Sequence, residues 1–245
     1  MQRLLMILTL VFAASSTAWA EDACDKWEVQ TATTPAPPLT GAALQTAESH
    51  ATGIPPDTDI IMIGDSLVQN WPKQQLADAL AGHKVWNFGV GQDRTQTTLW
   101  RMNDARLAAI HPVKAMVLVG TNNLGDNQSA CAIAAGILAI GQRAEALWPG
   151  VQVFYVPVLP RGVDFKNREA IRTQINQLVA AQGHSLAVDE ETLTCGLHGG
   201  RTLDETLLRC APGEWAKCAN YKDDNLHLTD AGYTALSGLL APLSS

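Results

Sequence analysis

Ser66, Asp224 and His227 are the residues whose types and order could carry chemistry. Ser66 closes Gly64-Asp65-Ser66, which follows the apolar run Asp59-Ile60-Ile61-Met62-Ile63 and precedes Leu67-Val68-Gln69-Asn70-Trp71. An apolar run of this length reads as a buried strand, and the segment after it as an opening helix. A serine on such a turn has an exposed hydroxyl and a backbone N–H free to meet an anion. Alone the tripeptide is ordinary turn chemistry. Far downstream, Asp224-Asn225-Leu226-His227 supplies an aspartate three residues before a histidine. That spacing can orient an imidazole and stabilise its cation, the requirement of a serine–histidine–aspartate nucleophilic system. Asp65 is expected to order the turn by accepting backbone hydrogen bonds.

Two further segments sharpen this reading. Val85-Trp86-Asn87-Phe88-Gly89-Val90-Gly91-Gln92-Asp93-Arg94-Thr95-Gln96 reads as strand, glycine-rich turn and helix, with Asp93 and Arg94 placed to brace the turn. Val117-Leu118-Val119-Gly120-Thr121-Asn122-Asn123 reads as a buried strand with polar residues at its carboxyl end. Open α/β sheets gather their site residues at strand carboxyl ends. Strands are predicted near 59–63, 84–88, 114–119, 151–158 and 184–188, and helices near 67–80, 93–108, 128–147, 165–182 and 229–243. This alternation predicts a three-layer α/β/α sandwich around a mainly parallel five-stranded sheet. Trp71, Trp86, Trp100 and Trp148 are expected in the core. His50, His83, His111 and His184 are expected at solvated element edges, and His198 is a rival base.

In order and composition these four blocks resemble the SGNH or GDSL hydrolases, from about Asp59 to the C-terminus. Asn87-Phe88-Gly89-Val90 through Leu99-Trp100-Arg101, Pro157-Val158-Leu159-Pro160-Arg161-Gly162, Leu226-His227-Leu228 and Gly232-Tyr233 look most like the branch containing platelet-activating-factor acetylhydrolase catalytic subunits. The resemblance implies a flavodoxin-like fold and an ester hydrolase with Ser66 as nucleophile, His227 as base and Asp224 as its orienter. It also implies an oxyanion hole made by the Ser66 N–H, a second-block N–H and the Asn122 side chain. The second-block donor is commonly a glycine, and Gln92 stands in that place here. Its N–H survives the exchange, provided the turn spares Gln92 a positive φ. The chemistry implied needs no cofactor, and no Cys-x-x-Cys or histidine cluster suits a metal. A short-acyl esterase acting on small esters or acetylated glycans is the first reading. A lysophospholipase or thioesterase, and a non-hydrolytic acyl-transfer or binding module, are the alternatives.

Residues 1–20 carry Arg3, the apolar stretch Leu4 to Ala14 and Ala18-Trp19-Ala20, the pattern of a cleaved export signal. The apolar stretch is too short to span a bilayer, and no other transmembrane run is read. The expected organisation is a signal at 1–20, an extension at 21–57 with a Pro-rich linker over 31–40, and a hydrolase domain at 58–245. A short helix is expected over 41–50 within that extension. Export to a periplasmic or extracellular compartment follows, with no stable membrane anchor. The formal net charge of −7 without a basic stripe argues against nucleic-acid partners. Five cysteines, Cys24, Cys131, Cys195, Cys210 and Cys218, would meet an oxidising environment, so some should pair. A disulfide is expected within Cys195–Cys218, part of a glycine-rich insertion over 190–223 that could form a lid. For Cys131, in an alanine-rich helix, the alternative to pairing is a small buried apolar residue.

Overall fold

The computed structural model describes residues 24–195 and 218–244. The chain runs through α1 (Lys26–Thr33), α2 (Gly41–Thr52), β1 (Ile60–Gly64), α3 (Ser66–Gln69), α4 (Lys73–Ala79), β2 (Val85–Gly89) and α5 (Thr95–Arg101). It continues through β3 (Lys114–Leu118), α6 (Thr121–Gly125), α7 (Ala130–Leu147), β4 (Gln152–Tyr155), α8 (Glu169–Ala180) and β5 (His184–Ser185). The last elements are α9 (Glu190–Leu193), α10 (Asp230–Ser237) and α11 (Ala241–Ser244). The five strands pair in the order β2-β1-β3-β4-β5, and every pairing is parallel. This is the α/β sandwich anticipated from the alternation of elements. The chain leaves β1 toward β2 on one side and returns to β3 on the other. A crevice therefore opens above the carboxyl ends of β1 and β3.

The central strands are apolar on both faces because helices cover both. Ile61, Ile63, Ala115 and Val117 point into one core with Phe88, Val153 and the buried face of α7. Ile60, Met62, Met116 and Leu118 point into the other with Trp71, Tyr233 and Leu240. Successive strand residues thus alternate between two cores, the period-2 geometry of a strand. α7 is long and apolar enough by composition to cross a membrane. It packs instead in the first core, burying Ile133, Ile137, Ile140 and Ala144.

Several expected helices are broken. Pro72 lacks an N–H and stands at the N-cap of α4, so the helix expected over 67–80 divides into α3 and α4. The helix expected over 93–108 stops at Arg101, and a 3₁₀ turn over Ala105–Ala109 follows, capped by Asp104. The last helix is likewise interrupted by a 3₁₀ turn over Gly238–Leu240. β4 and β5 are shorter than expected. The extended linker begins only after Thr33, because α1 occupies the first residues of the Thr/Pro/Ala-rich stretch. Tertiary contacts hold α1 there: the Ser129 N–H donates to the Glu28 carboxylate at 3.1 Å, and the Thr95 hydroxyl to the Ala32 carbonyl at 2.8 Å. Cys24 is joined to Cys131, so Cys131 is a disulfide partner rather than a small apolar filler. Cys195 pairs with Cys218, as expected for the insertion. Cys210 and most of the proposed lid lie outside the described residues.

Candidate active site

Ser66 stands at the carboxyl end of β1, on the first turn of α3. Asp65 caps that helix, one carboxylate oxygen accepting the Leu67 N–H at 2.9 Å. The turn is tight because α3 lies almost on the backbone of β1 and β2. A Cβ at Gly64 would collide with the Val68 side chain of α3 as well as with the Leu118 carbonyl of β3, and one at Gly89 with the Gln69 amide nitrogen of α3. The Asn87 amide donates to the Val68 carbonyl at 2.6 Å and the Tyr233 hydroxyl to the Leu67 carbonyl at 2.9 Å, fixing α3 from both sides. The second oxygen of Asp65 is buried without a hydrogen-bond partner. Burial pushes the Asp65 carboxyl up to about 7; the Leu67 N–H opposes this, the Asp93 charge adds to it and the Arg161 charge opposes it.

The structure brings Ser66, His227 and Asp224 together. His227 Nε2 lies 2.9 Å from Ser66 Oγ, and His227 Nδ1 lies 2.6 Å from Asp224 Oδ2. Asp224 Oδ1 accepts the N–H groups of Leu226 at 3.0 Å and His227 at 2.9 Å. Burial would raise the Asp224 carboxyl, but the hydrogen bonds from the His227 ring and these two N–H groups together hold it below the usual carboxylate range. The loop carrying the pair is tied down at several points. Tyr221 and Leu228 form an antiparallel bridge, the Tyr221 hydroxyl donates to the Pro160 carbonyl at 3.0 Å, and Cys218 is bonded to Cys195. Asp223, the neighbour of Asp224, is exposed and does not make the contact to His227.

Across the crevice lie Gln92 and Asn122. Gln92 is exposed and adopts φ 66°, the left-handed conformation that it was expected to avoid. A glycine reaches that conformation at no steric cost, whereas glutamine is strained in it. The surrounding turn imposes the geometry. The Asp93 N–H donates to the Val90 carbonyl at 3.2 Å, and the Gly91 N–H to the Gln69 side chain. Among the described residues no acceptor engages the N–H of Ser66 or of Gln92. The Asn122 amide gives one N–H to the Asp93 carbonyl at 2.8 Å, leaving its second N–H for another acceptor.

Asp93 anchors the whole turn. It is buried and accepts from Thr97 at 2.9 Å, Thr98 at 3.0 Å and Arg101 Nη2 at 2.6 Å. Arg101 also donates to the Phe88 carbonyl at 3.0 Å and lies over the Phe88 ring at 4.2 Å. Burial pushes the Asp93 carboxyl up, and the Arg101 charge opposes this. Arg94 braces the turn from outside, pairing with Asp126 at the end of α6. In the sequence the signal for this pair is the eight-residue offset of Arg101 from Asp93, about two helical turns.

The other residues singled out sort differently. Trp71, Trp86 and Trp148 are buried, but Trp100 is half-exposed and lines a cleft with Phe88 and Asp104. His111 and His184 are exposed and His83 half-buried. His50 is not a solvated edge residue: its ring packs 5.3 Å from Phe88 and 6.0 Å from Trp86, and its Nδ1 is buried without a partner. Burial first, then the nearby Arg101 charge, lower the His50 pKa to about 4. His198 lies outside the described residues. Among the described residues no cluster of three or more His, Cys, Asp or Glu could hold a metal.

The family model for the GDSL-like lipase/acylhydrolase family matches residues 55–235. The human platelet-activating factor acetylhydrolase IB subunit alpha1 is 30% identical over 190 residues, covering 76% of this chain and 75% of the relative. A member of the lipolytic protein G-D-S-L family from Veillonella parvula has a similar structure, with TM-score 0.58 at 12% identity, covering 75% of this chain and 96% of that one. Est24, a carbohydrate acetylesterase from Sinorhizobium meliloti, aligns with TM-score 0.54 at 14% identity, covering 76% and 97%. At these identities the two structures speak to the fold alone.

Proposed function

Starting from the membership of this chain in the GDSL-like lipase/acylhydrolase family, a family of ester-bond hydrolases, we propose that it is an exported serine esterase that works through an acyl-enzyme. The observation that carries this reading is the chain of contacts from Ser66 Oγ to His227 Nε2 at 2.9 Å and from His227 Nδ1 to Asp224 Oδ2 at 2.6 Å. His227 Nε2 takes the Ser66 proton as Oγ forms a bond to the ester carbonyl carbon. The carbonyl oxygen becomes an oxyanion held by the Ser66 and Gln92 N–H groups and by the second N–H of Asn122. The imidazolium then gives its proton to the leaving alcohol as the carbon–oxygen bond breaks. Water repeats the sequence on the acyl-enzyme, releasing the acid and restoring Ser66. Asp224, ionised throughout the ordinary pH range, steadies the imidazolium.

Short acyl groups are the proposed substrates, acetyl above all, on small alcohols or glycans. The names of an acetylhydrolase relative and of a carbohydrate acetylesterase with the same fold support that choice. The two disulfides, Cys24–Cys131 and Cys195–Cys218, support export to an oxidising compartment. The N-terminal pattern over 1–20 reads as the export signal, 21–57 as an extension and 58–245 as the hydrolase domain. A panel of acetyl, butyryl and palmitoyl esters of one alcohol tests the acyl choice. kcat/KM is expected to fall along that series, and a clear palmitoyl preference overturns it.

A further inference from the structure

Arg161 occupies an unusual place. It lies between the two halves of the candidate site. Its Nη1 donates to the Thr121 carbonyl at 2.6 Å and the Thr121 hydroxyl at 3.0 Å, one residue before Asn122. Its neighbour Gly162 donates its N–H to the carbonyl of Asn225, inside the Asp224–His227 loop, at 2.8 Å. The guanidinium is half-buried, and among the described residues it has no carboxylate partner, while Nε and Nη2 make no hydrogen bond. The guanidinium lies beside Gly125: a Cβ there would meet Arg161 Nη1 at 3.5 Å and Nη2 at 3.7 Å. Arg168, on the same loop, donates to the Leu124 carbonyl at 3.0 Å and to the Asn127 side chain, and its charge acts on Arg161. Arg168 likewise makes no ion pair with a carboxylate among the described residues. Two cations without an ion-pair contact among the described residues therefore stand beside the site, Arg161 feeling the Asp65 carboxyl from a distance, in a chain whose formal net charge is −7.

A structural duty explains only part of this. Nη1 satisfies the carbonyl and hydroxyl of Thr121, the first residue of α6. It does not explain a partly desolvated fork with its remaining donors unspent, since desolvating a charge is costly unless it is paired. A planar guanidinium with free donors fits a carboxylate or phosphate. The side of the substrate follows from the Gly162–Asn225 bond. It ties the Arg161–Gly162 segment to the loop that carries His227, the group that hands its proton to the leaving alcohol.

We infer that Arg161, supported by Arg168, is a substrate-binding residue that takes an anionic group, carboxylate or phosphate, on the alcohol portion of the ester. This rests on the esterase reading above and adds the charge of the leaving group to it. The test compares kcat/KM for monoacetyl esters of glycerol, glycerate and glycerol phosphate. The wild-type protein is expected to favour at least one anionic ester over the neutral one by about 10–100-fold, the range of a charge-assisted contact. Arg161→Gln is expected to erase that ratio and Arg161→Lys to retain part of it. A gain on the glycerate or on the phosphate ester alone identifies the anion. A wild type with no anionic preference, or an Arg161→Gln protein whose ratio is unchanged, overturns the inference. Calorimetry on Ser66→Ala separates the two readings, because it needs no turnover. Binding of glycerol phosphate or glycerate that disappears in Ser66→Ala/Arg161→Gln upholds the anion site even if no ester is hydrolysed. Absence of Arg161-dependent binding defeats it.

Discussion

Arg101→Met offers a sharp test of how the oxyanion turn is held. The substitution keeps most of the side-chain volume but removes the cation that pairs with Asp93. Both side chains are almost wholly buried, at 2% and 1% exposure. Met leaves Asp93 with the hydroxyls of Thr97 and Thr98 as its remaining side-chain donors, and it leaves the Phe88 carbonyl without the Arg101 donor. Breaking a buried pair by removing one partner costs about 3–5 kcal/mol. For a domain of this size that corresponds to a Tm loss of roughly 6–20 °C. The double variant Arg101→Met/Asp93→Asn removes the stranded charge, so it should recover a substantial part of the loss. Urea unfolding of the wild type, both singles and the double closes the cycle, with unchanged m values showing that the unfolded states are comparable. Arg101→Met should also lower kcat, because Gln92 directly precedes Asp93 and the Asn122 amide bonds the Asp93 carbonyl. A cost under about 1 kcal/mol, or a double variant no more stable than Arg101→Met, refutes the argument that this pair holds the turn.

The proposed oxyanion donors differ in kind, so their variants should separate. Asn122→Ala deletes a side-chain donor and should cost about 10²–10³ in kcat, whereas Gln92→Gly keeps the backbone N–H and should change kcat by less than about tenfold. Gln92→Gly also relieves the strain at φ 66°, and greater unfolded-state freedom offsets that gain, so stability should move by no more than about 1 kcal/mol. Equal losses in the two variants would show an unassigned role for the Gln92 side chain, and a harmless Asn122→Ala would remove Asn122 from the oxyanion hole. His50 predicts acid sensitivity: its folded pKa, about 4, lies below the ordinary 6.5, so the unfolded chain takes the proton first. Its contribution is complete above pH 6.5 and is lost as pH falls toward 4, a loss of about 1–2 kcal/mol after allowance for solvent screening. Asp65 opposes this, because its raised value near 7 makes its contribution fall as pH rises from 3.8. His50→Gln should therefore flatten the acid limb of unfolding free energy against pH, and a limb parallel to the wild type defeats the assignment.

The parts of the molecule legible in its sequence are those whose signal is local. The apolar runs of β1 and β3 end in Gly64-Asp65-Ser66 and Gly120-Thr121-Asn122-Asn123, so strand ends and site residues could be read together. The three-residue spacing of Asp224 and His227 is likewise local, and the structure spans it with a 2.6 Å contact. What escaped depends on distant partners. α1 forms in a Thr/Pro/Ala-rich stretch because Glu28 and Ala32 meet Ser129 and Thr95, which lie far along the chain. The pairing of Cys131 was not legible because its partner Cys24 is 107 residues away. His50 is buried by Trp86 and Phe88, which no pattern around it announces. The φ of Gln92 belongs to a turn closed by the Asp93 N–H on the Val90 carbonyl and the Gly91 N–H on the Gln69 side chain, contacts that a residue-level rule does not see.

The central claim is that Ser66 is the nucleophile, activated by His227. Labelling with a fluorophosphonate, followed by peptide mass mapping, measures this directly. The account predicts a single adduct on Ser66 in the wild type, none in folded Ser66→Ala, and labelling slowed by several orders of magnitude in His227→Ala. Ester hydrolysis should be lost together with the adduct. Labelling at another residue, or full hydrolytic activity in folded Ser66→Ala, would contradict it.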